Sequence, residues 1–474
     1  MGSLARGGRT TVSWRGERMD WGVLGLVASV GLAQAAVASD VAREPLRIID
    51  DRNLTRTVAE VRARFLATRS EVQPELTRLD IAVLLPAGRG VWRRGAFRGD
   101  HTAYPASCVK LAYLAAAMAW CRERNLPPQT VDADVRPMMA VSDNVATGRV
   151  VDRITDAPNA MEASEGGLPY DEWFRRRGYT ERYLASHGLL GNQIVLNKTY
   201  PTNSGEEPDG YEERARQEHG ANAMQPNLSA ELVLRMVKGL LEPQANAYIR
   251  ELMAHDRWKG GTVFGFGLPP GTEVLNKVGL AYDTLEDIAY IRLPNGREMV
   301  MAAYSNAFSG PEPRQPGPYY GSILGTLCGM MTERLGLLKG CPPRVIVDDA
   351  SRDCTFTGSW TVTKPIAEAF RTTMHRADSG EGRTASWRIR APKSGRYEVC
   401  IWYAQSDDQC RTASVTVEHA GGRKTIDLDL RRTGGRWVRL GDFALAKGGG
   451  VVTVTGTGPG QLVADAVKAT LWPE

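Results

Sequence analysis

One stretch decides the fold of this 474-residue chain: Tyr104-Pro-Ala-Ser-Cys-Val-Lys-Leu-Ala-Tyr-Leu114. Ser107 and Lys110 stand three positions apart at the start of an apolar helical segment, so their side chains share one helix face. A serine hydroxyl becomes a good nucleophile when a neighbouring base takes its proton, and lysine is such a base when its surroundings lower its pKa. Only 11 of the 59 basic residues are lysines, and arginine cannot do this work because it keeps its proton in proteins. The pair therefore predicts a nucleophile and its base.

Two further motifs follow in order along the chain. Ser142-Asp143-Asn144 lies in a segment with the apolar spacing of a helix, and Lys277-Val278-Gly279 lies on a strand pattern. The ordered set Ser-x-x-Lys, Ser-Asp-Asn and Lys-Thr-Gly is that of class A β-lactamases and penicillin-binding proteins. From about residue 45 to 338 the chain resembles this family, with valine where the third motif has threonine.

The resemblance implies a catalytic role for four residues. Ser107 is expected to attack a carbonyl and form an acyl-enzyme, while Lys110 accepts the serine proton. Ser142 is expected to relay a proton to the leaving group. Lys277 supplies a second cation that keeps Lys110 neutral and attracts a substrate carboxylate.

The resemblance also implies residues that bind the substrate. Asn144 is expected to bind the substrate amide and help hold Lys110, while Asp143 fixes the loop. The backbone N–H of Leu280, next to Gly279, is expected to be the second oxyanion donor beside that of Ser107.

The base for deacylation is uncertain from the sequence. Class A enzymes carry a glutamate four positions before an asparagine, and the best local match is Gln193-Ile-Val-Leu-Asn197. The match makes Gln193 and Asn197 candidate substrate-binding residues, and Gln193 is able to orient water. Glutamine cannot take a proton from water, so we expect acylation to outrun deacylation. Substitute bases remain available to the chain: Glu206, Glu207, Glu212, Glu213 and Lys110 itself.

The composition argues against two other classes of protein. The formal net charge is only +5, and no basic tract alternates with aromatic residues, so nucleic-acid binding has little support. None of the six histidines has His-x-x-x-His spacing, and none of the seven cysteines forms Cys-x-x-Cys. A zinc site is therefore not expected, and the family resemblance implies neither a metal nor an organic cofactor.

Residues 1–38 are similar to a signal peptide. Four arginines between residues 6 and 18 precede a short apolar core from Trp21 to Ala33, and Ala36-Val37-Ala38 is a small-residue cleavage site. The core is too short to span a bilayer comfortably. We expect an exported protein, periplasmic or extracellular, without an integral membrane segment after cleavage.

The spacing of apolar residues predicts an α+β domain over residues 39–340. Strand patterns cover residues 80–85, 90–97, 272–278, 288–293 and 299–304, and helix patterns cover 54–72, the segment after Ser107, the middle of the domain and 319–338. Strands at both ends of a helical centre predict an antiparallel sheet flanked by helices plus a largely helical subdomain.

After Cys341-Pro-Pro343 short alternating strands between glycine-rich turns predict an all-β sandwich over residues 345–474. Gly358-Ser-Trp360, Gly395-Arg-Tyr397, Gly434-Gly-Arg-Trp437 and Ala464-Asp-Ala-Val467 resemble the golvesin C-terminal-like domain. This resemblance makes a polysaccharide a candidate partner of the sandwich. Trp360, Trp387, Trp402 and Trp437 are candidates for stacking on sugars, but most are expected in the core.

Together these features predict an exported serine hydrolase of the β-lactamase-like type, acting on a small amide, ester or peptide. β-Lactams and peptidoglycan-derived peptides are the candidate substrates. A D-alanyl peptidase and a carboxylesterase share the same acylation chemistry and stay open as alternatives. A non-catalytic cell-wall or polysaccharide-binding protein is the alternative from another class.

Overall fold

A computed structural model describes most of the chain after residue 45. The described ranges are 46–68, 70, 76–159, 167–195, 210–255, 262–307, 319–366, 369–371, 373–378, 382–432, 434–456 and 458–473, with the side chains of 319–322 left out. The predicted signal peptide, Asn197, Glu206 and Glu207 lie outside these residues. No helix of the described part is long and apolar enough to cross a membrane.

The first domain is built on a six-stranded sheet with the order β1-β3-β2-β6-β5-β4. Its strands are β1 (Arg47–Asp50), β2 (Leu79–Gly88), β3 (Val91–Phe97), β4 (Glu273–Ala281), β5 (Thr284–Arg292) and β6 (Glu298–Ser305). The short edge strand β1 pairs in parallel with β3, and every other neighbour pair is antiparallel. The sheet predicted from the sequence is thus confirmed, with a parallel edge strand added.

Ten helices of the described part accompany this sheet. They are α1 (Arg52–Ala67), α2 (Lys110–Glu123), α3 (Asp132–Ala140), α4 (Asn144–Thr155), α5 (Tyr170–Arg177), α6 (Tyr179–Ser186), α7 (Gly210–His219), α8 (Pro226–Val237), α9 (Asn246–Met253) and α10 (Tyr319–Arg334). Both faces of the sheet are covered: alternate residues of β2, such as Ile81 and Ala82, enter two different apolar cores. One core holds α1 and α10 and the other holds the helical subdomain.

Helix α2 crosses the centre of the helical subdomain. Its residues from Lys110 to Ala119 are all buried, and most are alanine or leucine. A helix that is apolar all round belongs inside a protein, where every face meets a neighbour. Because α2 is fixed on all sides, the turn at its start is held rigidly.

The C-terminal domain is the all-β region predicted from the sequence. Its strands are β7 (Arg344–Asp348), β8 (Cys354–Thr357), β9 (Thr361–Val362), β10 (His375–Asp378), β11 (Thr384–Arg388), β12 (Gly395–Tyr403), β13 (Ala413–His419), β14 (Gly422–Leu428), β15 (Arg436–Leu445), β16 (Val451–Gly456), β17 (Gln461–Ala464) and β18 (Ala466–Leu471). They form sheets of five (β14-β13-β16-β11-β8), four (β15-β12-β18-β7) and three strands (β17-β10-β9). The fold class predicted for both parts of the chain is confirmed.

The aromatic residues of the sandwich mostly pack inside it. Trp387, Trp402 and Trp437 are buried, while Trp360 is half-buried. Trp402 and Trp437 line a crevice of about 230 Å³ together with Phe266 and Gly325 of the first domain.

All seven cysteines are free thiols.

Candidate active site

Ser107 lies on a short 3-10 turn, Ala106–Val109, that leads into α2. Ala106 has a φ of 42°, in the left-handed region that residues with a side chain rarely adopt. The backbone N–H of Cys108 closes the turn by donating to the oxygen of Pro105 at 2.9 Å. Strained backbone of this kind persists where the surroundings over-determine it, which is frequent at functional sites. The sequence placed Ser107 on the helix itself, whereas the helix begins at Lys110.

Strand β4 fixes this turn from the other side. The Cys108 thiol donates to the backbone oxygen of Lys277 at 3.2 Å. At Gly279 a Cβ atom would lie 2.6 Å from the oxygen of Pro105 and 2.6 Å from Oε2 of Glu286, so only glycine fits. The glycine of the third motif therefore allows the strand to approach the turn that carries Ser107.

The Cys108 thiol, next to Ser107 in the chain, is structural. Cys108 is fully buried, and this burial raises its pKa well above the ordinary value. A thiol that stays protonated is a poor nucleophile. Cys108 thus acts as a small packing residue.

Lys110 is buried and surrounded by oxygen acceptors. Its ammonium nitrogen donates to the backbone oxygen of Ser142 at 2.6 Å, to the Ser142 hydroxyl at 3.0 Å and to Oδ1 of Asn144 at 2.9 Å. The expected hydrogen bond between Lys110 and the Ser107 hydroxyl stays a prediction. The contact with Asn144 is the one anticipated from the family resemblance.

Ser142 lies in the turn between α3 and α4, rather than inside a helix as its apolar surroundings suggested. Its φ of 60° is again left-handed. Asp143 caps α4, accepting a hydrogen bond from the backbone N–H of Ala146 at 2.7 Å. The turn that Asp143 caps separates α3 from α4, and it lets Ser142 and Asn144 both face Lys110. The helix interpretation failed because apolar spacing continues across the capped turn.

Lys277 reaches the same hydroxyl from the opposite side. Its ammonium nitrogen donates to the Ser142 hydroxyl at 3.0 Å and to the oxygen of Val278 at 3.0 Å. Burial lowers the pKa of Lys277 to about 8. Ser142 therefore connects two buried lysines, one of which loses its proton easily.

These residues open into one cleft of about 430 Å³, called here the Ser107 cleft. Its described lining consists of Ser107, Met139, Ala140, Val141, Ser142, Asn144, His255, Lys277, Val278 and Leu280. The side chains predicted from three distant motifs thus meet in one place, with Lys110 directly behind Ser142. The mouth is apolar, since Val141 is 75% exposed and Leu280 is 40% exposed.

His255 is a cleft residue that the sequence did not indicate. Its Nδ1 lies 3.0 Å from Oδ1 of Asn276 and its Nε2 lies 3.3 Å from the oxygen of Met139. Burial lowers the pKa of His255, and the charge of Lys277 lowers it further. The Ala254–Leu275 β-bridge sets its position, so no local sequence signal announces it.

The side-chain amide of Gln193 makes its hydrogen bonds away from the Ser107 cleft. Its amide nitrogen donates to the oxygen of Leu189 at 2.6 Å, and its Oε1 accepts from the backbone N–H of Gln225 at 3.0 Å. It is buried and is not among the described residues lining the Ser107 cleft. The amide joins two loops, and the suggested contact with substrate or water finds no support in this geometry.

The described candidates for a substitute base are also engaged. Glu212 is buried and forms an ion pair with Arg177 at 3.2 Å. Glu213 accepts a hydrogen bond from Gln217 at 2.8 Å on the same helix, α7. Neither is among the described residues of the Ser107 cleft.

Comparison with known proteins identifies both parts of the chain. Residues 129–316 match the family model described as the beta-lactamase enzyme family, and residues 345–471 match that of the golvesin C-terminal domain. Golvesin of Dictyostelium discoideum is 32% identical over 441 residues, which are 91% of this chain and 75% of that protein. The chain belongs to the golvesin family. This golvesin-family chain thus joins a domain of the serine-hydrolase type to a β-rich C-terminal domain.

Several solved structures are similar to parts of this golvesin-family chain. An acyl-enzyme complex of a PBP-A variant with penicillin G is 19% identical, covering 62% of this chain and 99% of its own, with a TM-score of 0.42. The β-lactamase of Sphaerobacter thermophilus is 16% identical, covering 61% and 99%, with a TM-score of 0.40. A Paenibacillus xanthan lyase is 20% identical, and the match covers 37% of this chain and 16% of the lyase, with a TM-score of 0.27.

Proposed function

We propose that the chain is an exported serine hydrolase that cleaves a small amide or ester through an acyl-Ser107 intermediate. The observation that carries this proposal is the Ser142 hydroxyl, held at 3.0 Å by both Lys110 and Lys277 in the cleft that Ser107 lines. Two ammonium groups at one hydroxyl repel each other, which favours loss of a proton from the pair. A neutral lysine beside a serine is what general-base activation requires.

The proposed reaction has two steps. The Ser107 oxygen bonds to the substrate carbonyl carbon while Lys110 takes the hydroxyl proton. The bond from that carbon to the leaving group then breaks, and Ser142 passes the proton to the departing nitrogen or oxygen. Water adds to the ester, the Ser107–acyl bond breaks, and the acid is released with Ser107 reprotonated. The backbone N–H groups of Ser107 and Leu280 are the proposed oxyanion donors.

Release of the acyl group is proposed to be slow. A positioned base contributes about 10²–10⁴-fold to such a hydrolysis, and Gln193 is tied to two backbone groups. β-Lactams, if accepted, would then remain attached to Ser107 for longer than good substrates do.

The experiment that tests the proposal is mass spectrometry of the intact chain after incubation with a labelled penicillin and with a p-nitrophenyl ester. The expected result is an adduct on Ser107 that is absent from Ser107→Ala. The matched control is Ser70→Ala, because Ser70 is exposed and, among the described residues, its hydroxyl donates to the oxygen of Ala67 at the end of its own helix. A correctly folded chain that acquires no adduct from either reagent would favour the non-catalytic alternative.

Of the two candidate substrates, the amide and the ester, the apolar mouth of the cleft favours the ester. Val278 replaces the hydroxyl residue of the family motif, and Val141 and Leu280 expose apolar surface at the rim. Such a site accepts an uncharged acyl group more readily than a carboxylate. Faster turnover of the uncharged ester than of penicillin would support a carboxylesterase, and the reverse would support an amide hydrolase.

Export is proposed from the N-terminal sequence. Cleavage after Ala38 is expected in a host that secretes the chain. Sequencing the N-terminus of the secreted protein tests this, and recovery of an uncleaved chain from the cytoplasm would contradict it.

A further inference from the structure

Three carboxylates lie close together in the C-terminal domain. Along the chain they are distant from every residue of the proposed reaction. Carboxylate oxygens of Asp348, Asp349 and Asp465 all lie within 4.8 Å of one another. The register of the sheet brings them together, because Asp348 ends β7 and pairs with Ala466, the first residue of β18. These three residues are called the aspartate cluster below.

The cluster is built from buried groups. Asp465 is fully buried, Asp349 is only 5% exposed, and the Asp348 side chain is 12% exposed. Three acidic groups so close together in an apolar interior repel one another unless a proton or a cation intervenes.

One oxygen of the cluster has no described partner. Oδ2 of Asp465 accepts from the backbone N–H of Phe370 at 2.8 Å, whereas its Oδ1 is buried without a hydrogen-bond partner among the described residues. A buried polar atom of this kind is costly unless something binds it. In the described part of the chain no lysine, arginine or histidine forms an ion pair with Asp465.

The other two aspartates are only partly compensated. Oδ2 of Asp349 lies 2.7 Å from Nδ1 of His375. Oδ2 of Asp348 lies 3.4 Å from Nε of Arg371, and its Oδ1 accepts from the backbone N–H of Ala350 at 3.2 Å. His375 therefore holds Asp349 from outside the cluster, which is how carboxylate ligands of metals are usually oriented.

We propose that Asp348, Asp349 and Asp465 bind a calcium ion that fastens the C-terminal domain. The donor atoms are all carboxylate oxygens, which hard cations prefer, and Ca²⁺ accepts irregular oxygen sites more readily than Mg²⁺ does. The ion offsets two of the three negative charges, Arg371 pairs with Asp348, and the buried Oδ1 of Asp465 gains a partner. This site differs from the expectation, based on the family resemblance, that the chain binds no metal.

The site has a structural consequence beyond its own residues. The loop that contributes the N–H of Phe370 also places the Phe370 ring 5.5 Å from Trp402 and 5.0 Å from Trp437. These three aromatic residues line the crevice against Phe266 of the first domain. A calcium ion at the cluster thereby supports the surface through which the two domains touch.

Calorimetric titration and thermal unfolding of the full chain, first stripped with a chelator, test the proposal. Added CaCl₂ is expected to bind and to raise the unfolding temperature by several degrees, with a smaller effect from MgCl₂. In Asp465→Asn the affinity is expected to fall about tenfold or more. The calcium-free variant should melt no lower than the wild type, because asparagine keeps the acceptor for Phe370 and removes a buried charge.

The control is Asp353→Asn, which removes a carboxylate of the same domain that pairs with Arg390 outside the cluster. It should keep the calcium effect. Should Asp465→Asn not fold, Asp348→Asn, at the more exposed edge of the cluster, is measured in its place. No calcium effect on the wild type up to about 10 mM, beyond the range of weak extracellular sites, overturns the proposal. An unchanged calcium effect in Asp465→Asn, or in Asp348→Asn where it is measured instead, overturns it as well.

Discussion

Each domain buries a cluster of like charges, and the two clusters differ in how the repulsion is relieved. In the Ser107 cleft, Lys110 and Lys277 share the hydroxyl of Ser142, and burial brings the pKa of Lys277 to about 8. In the aspartate cluster no described hydroxyl lies between the carboxylates, and Oδ1 of Asp465 has no described partner. The lysines can release a proton through a hydroxyl, which suits catalysis. The aspartates need a proton or a cation, which suits a structural site.

The largest effect is expected from Lys110→Arg, which tests whether the lysine pair of the Ser107 cleft must release a proton. Arginine keeps a positive charge near Ser142 but cannot become a neutral base. Acylation of Ser107 should therefore slow by about 10²–10⁴-fold, as measured by the rate of adduct formation. Lys339→Arg, an exposed lysine after α10, is the control and should leave the rate unchanged. A normal rate in Lys110→Arg would mean that another group takes the serine proton.

A smaller effect is expected in the pH dependence of stability. The pKa of Lys277 is about 8 in the folded chain and 10.5 as its ordinary value. Between these two values the unfolded chain binds the proton and the folded chain does not, so stability should rise with pH in this window. The rise is at most about 3 kcal/mol.

Lys277→Met removes that titration and isolates it from all other groups. Urea unfolding of wild type and variant at pH values on both sides of the window gives the difference. The difference should grow in favour of the wild type as the pH increases. A difference that is constant with pH would show that Lys277 titrates normally.

The sequence predicted that the side chains of the three motifs share one cleft, partly because each motif is local. Ser107 with Lys110, and Ser142 with Asn144, each stand within one turn of chain, and the family resemblance implied that the motifs meet. His255 and Asp465 were not predicted, because β-pairing to distant strands sets their places. The strands and helices were predicted well wherever apolar spacing is regular. The capped turn at Asp143 was not, since the apolar pattern runs across it.

Gln193 is another position where the sequence alone and the structure lead to different expectations, and the substitution Gln193→Glu tests them. The match of Gln193-Ile-Val-Leu-Asn197 to the family pattern suggests that a glutamate at position 193 would speed release of the acyl group. The structure predicts a different outcome, because a carboxylate cannot donate to the oxygen of Leu189. We expect a loss of about 1–3 kcal/mol in the free energy of unfolding and an unchanged release rate. The control is Gln129→Glu at an exposed position. Faster release in Gln193→Glu would place this residue at the cleft after all.

The smallest effect is expected from Val278→Thr, which sharpens the role of the lysine pair. Val278 lines the cleft directly after Lys277, and threonine has almost the same shape with a hydroxyl added. If Lys277 attracts a substrate carboxylate, the new hydroxyl should donate to that carboxylate as well. One such hydrogen bond is worth about 1 kcal/mol, or roughly a fivefold lower KM.

The substrate comparison makes this last test specific. The KM of a carboxylate-bearing substrate should fall in Val278→Thr, while that of an uncharged ester should stay the same. Val362→Thr, at an exposed position of the sandwich, is the control for the substitution itself. An equal change for both substrates would mean that the hydroxyl acts on the cleft rather than on the carboxylate. In that case Lys277 serves proton transfer alone, and the cleft has no anion-binding role.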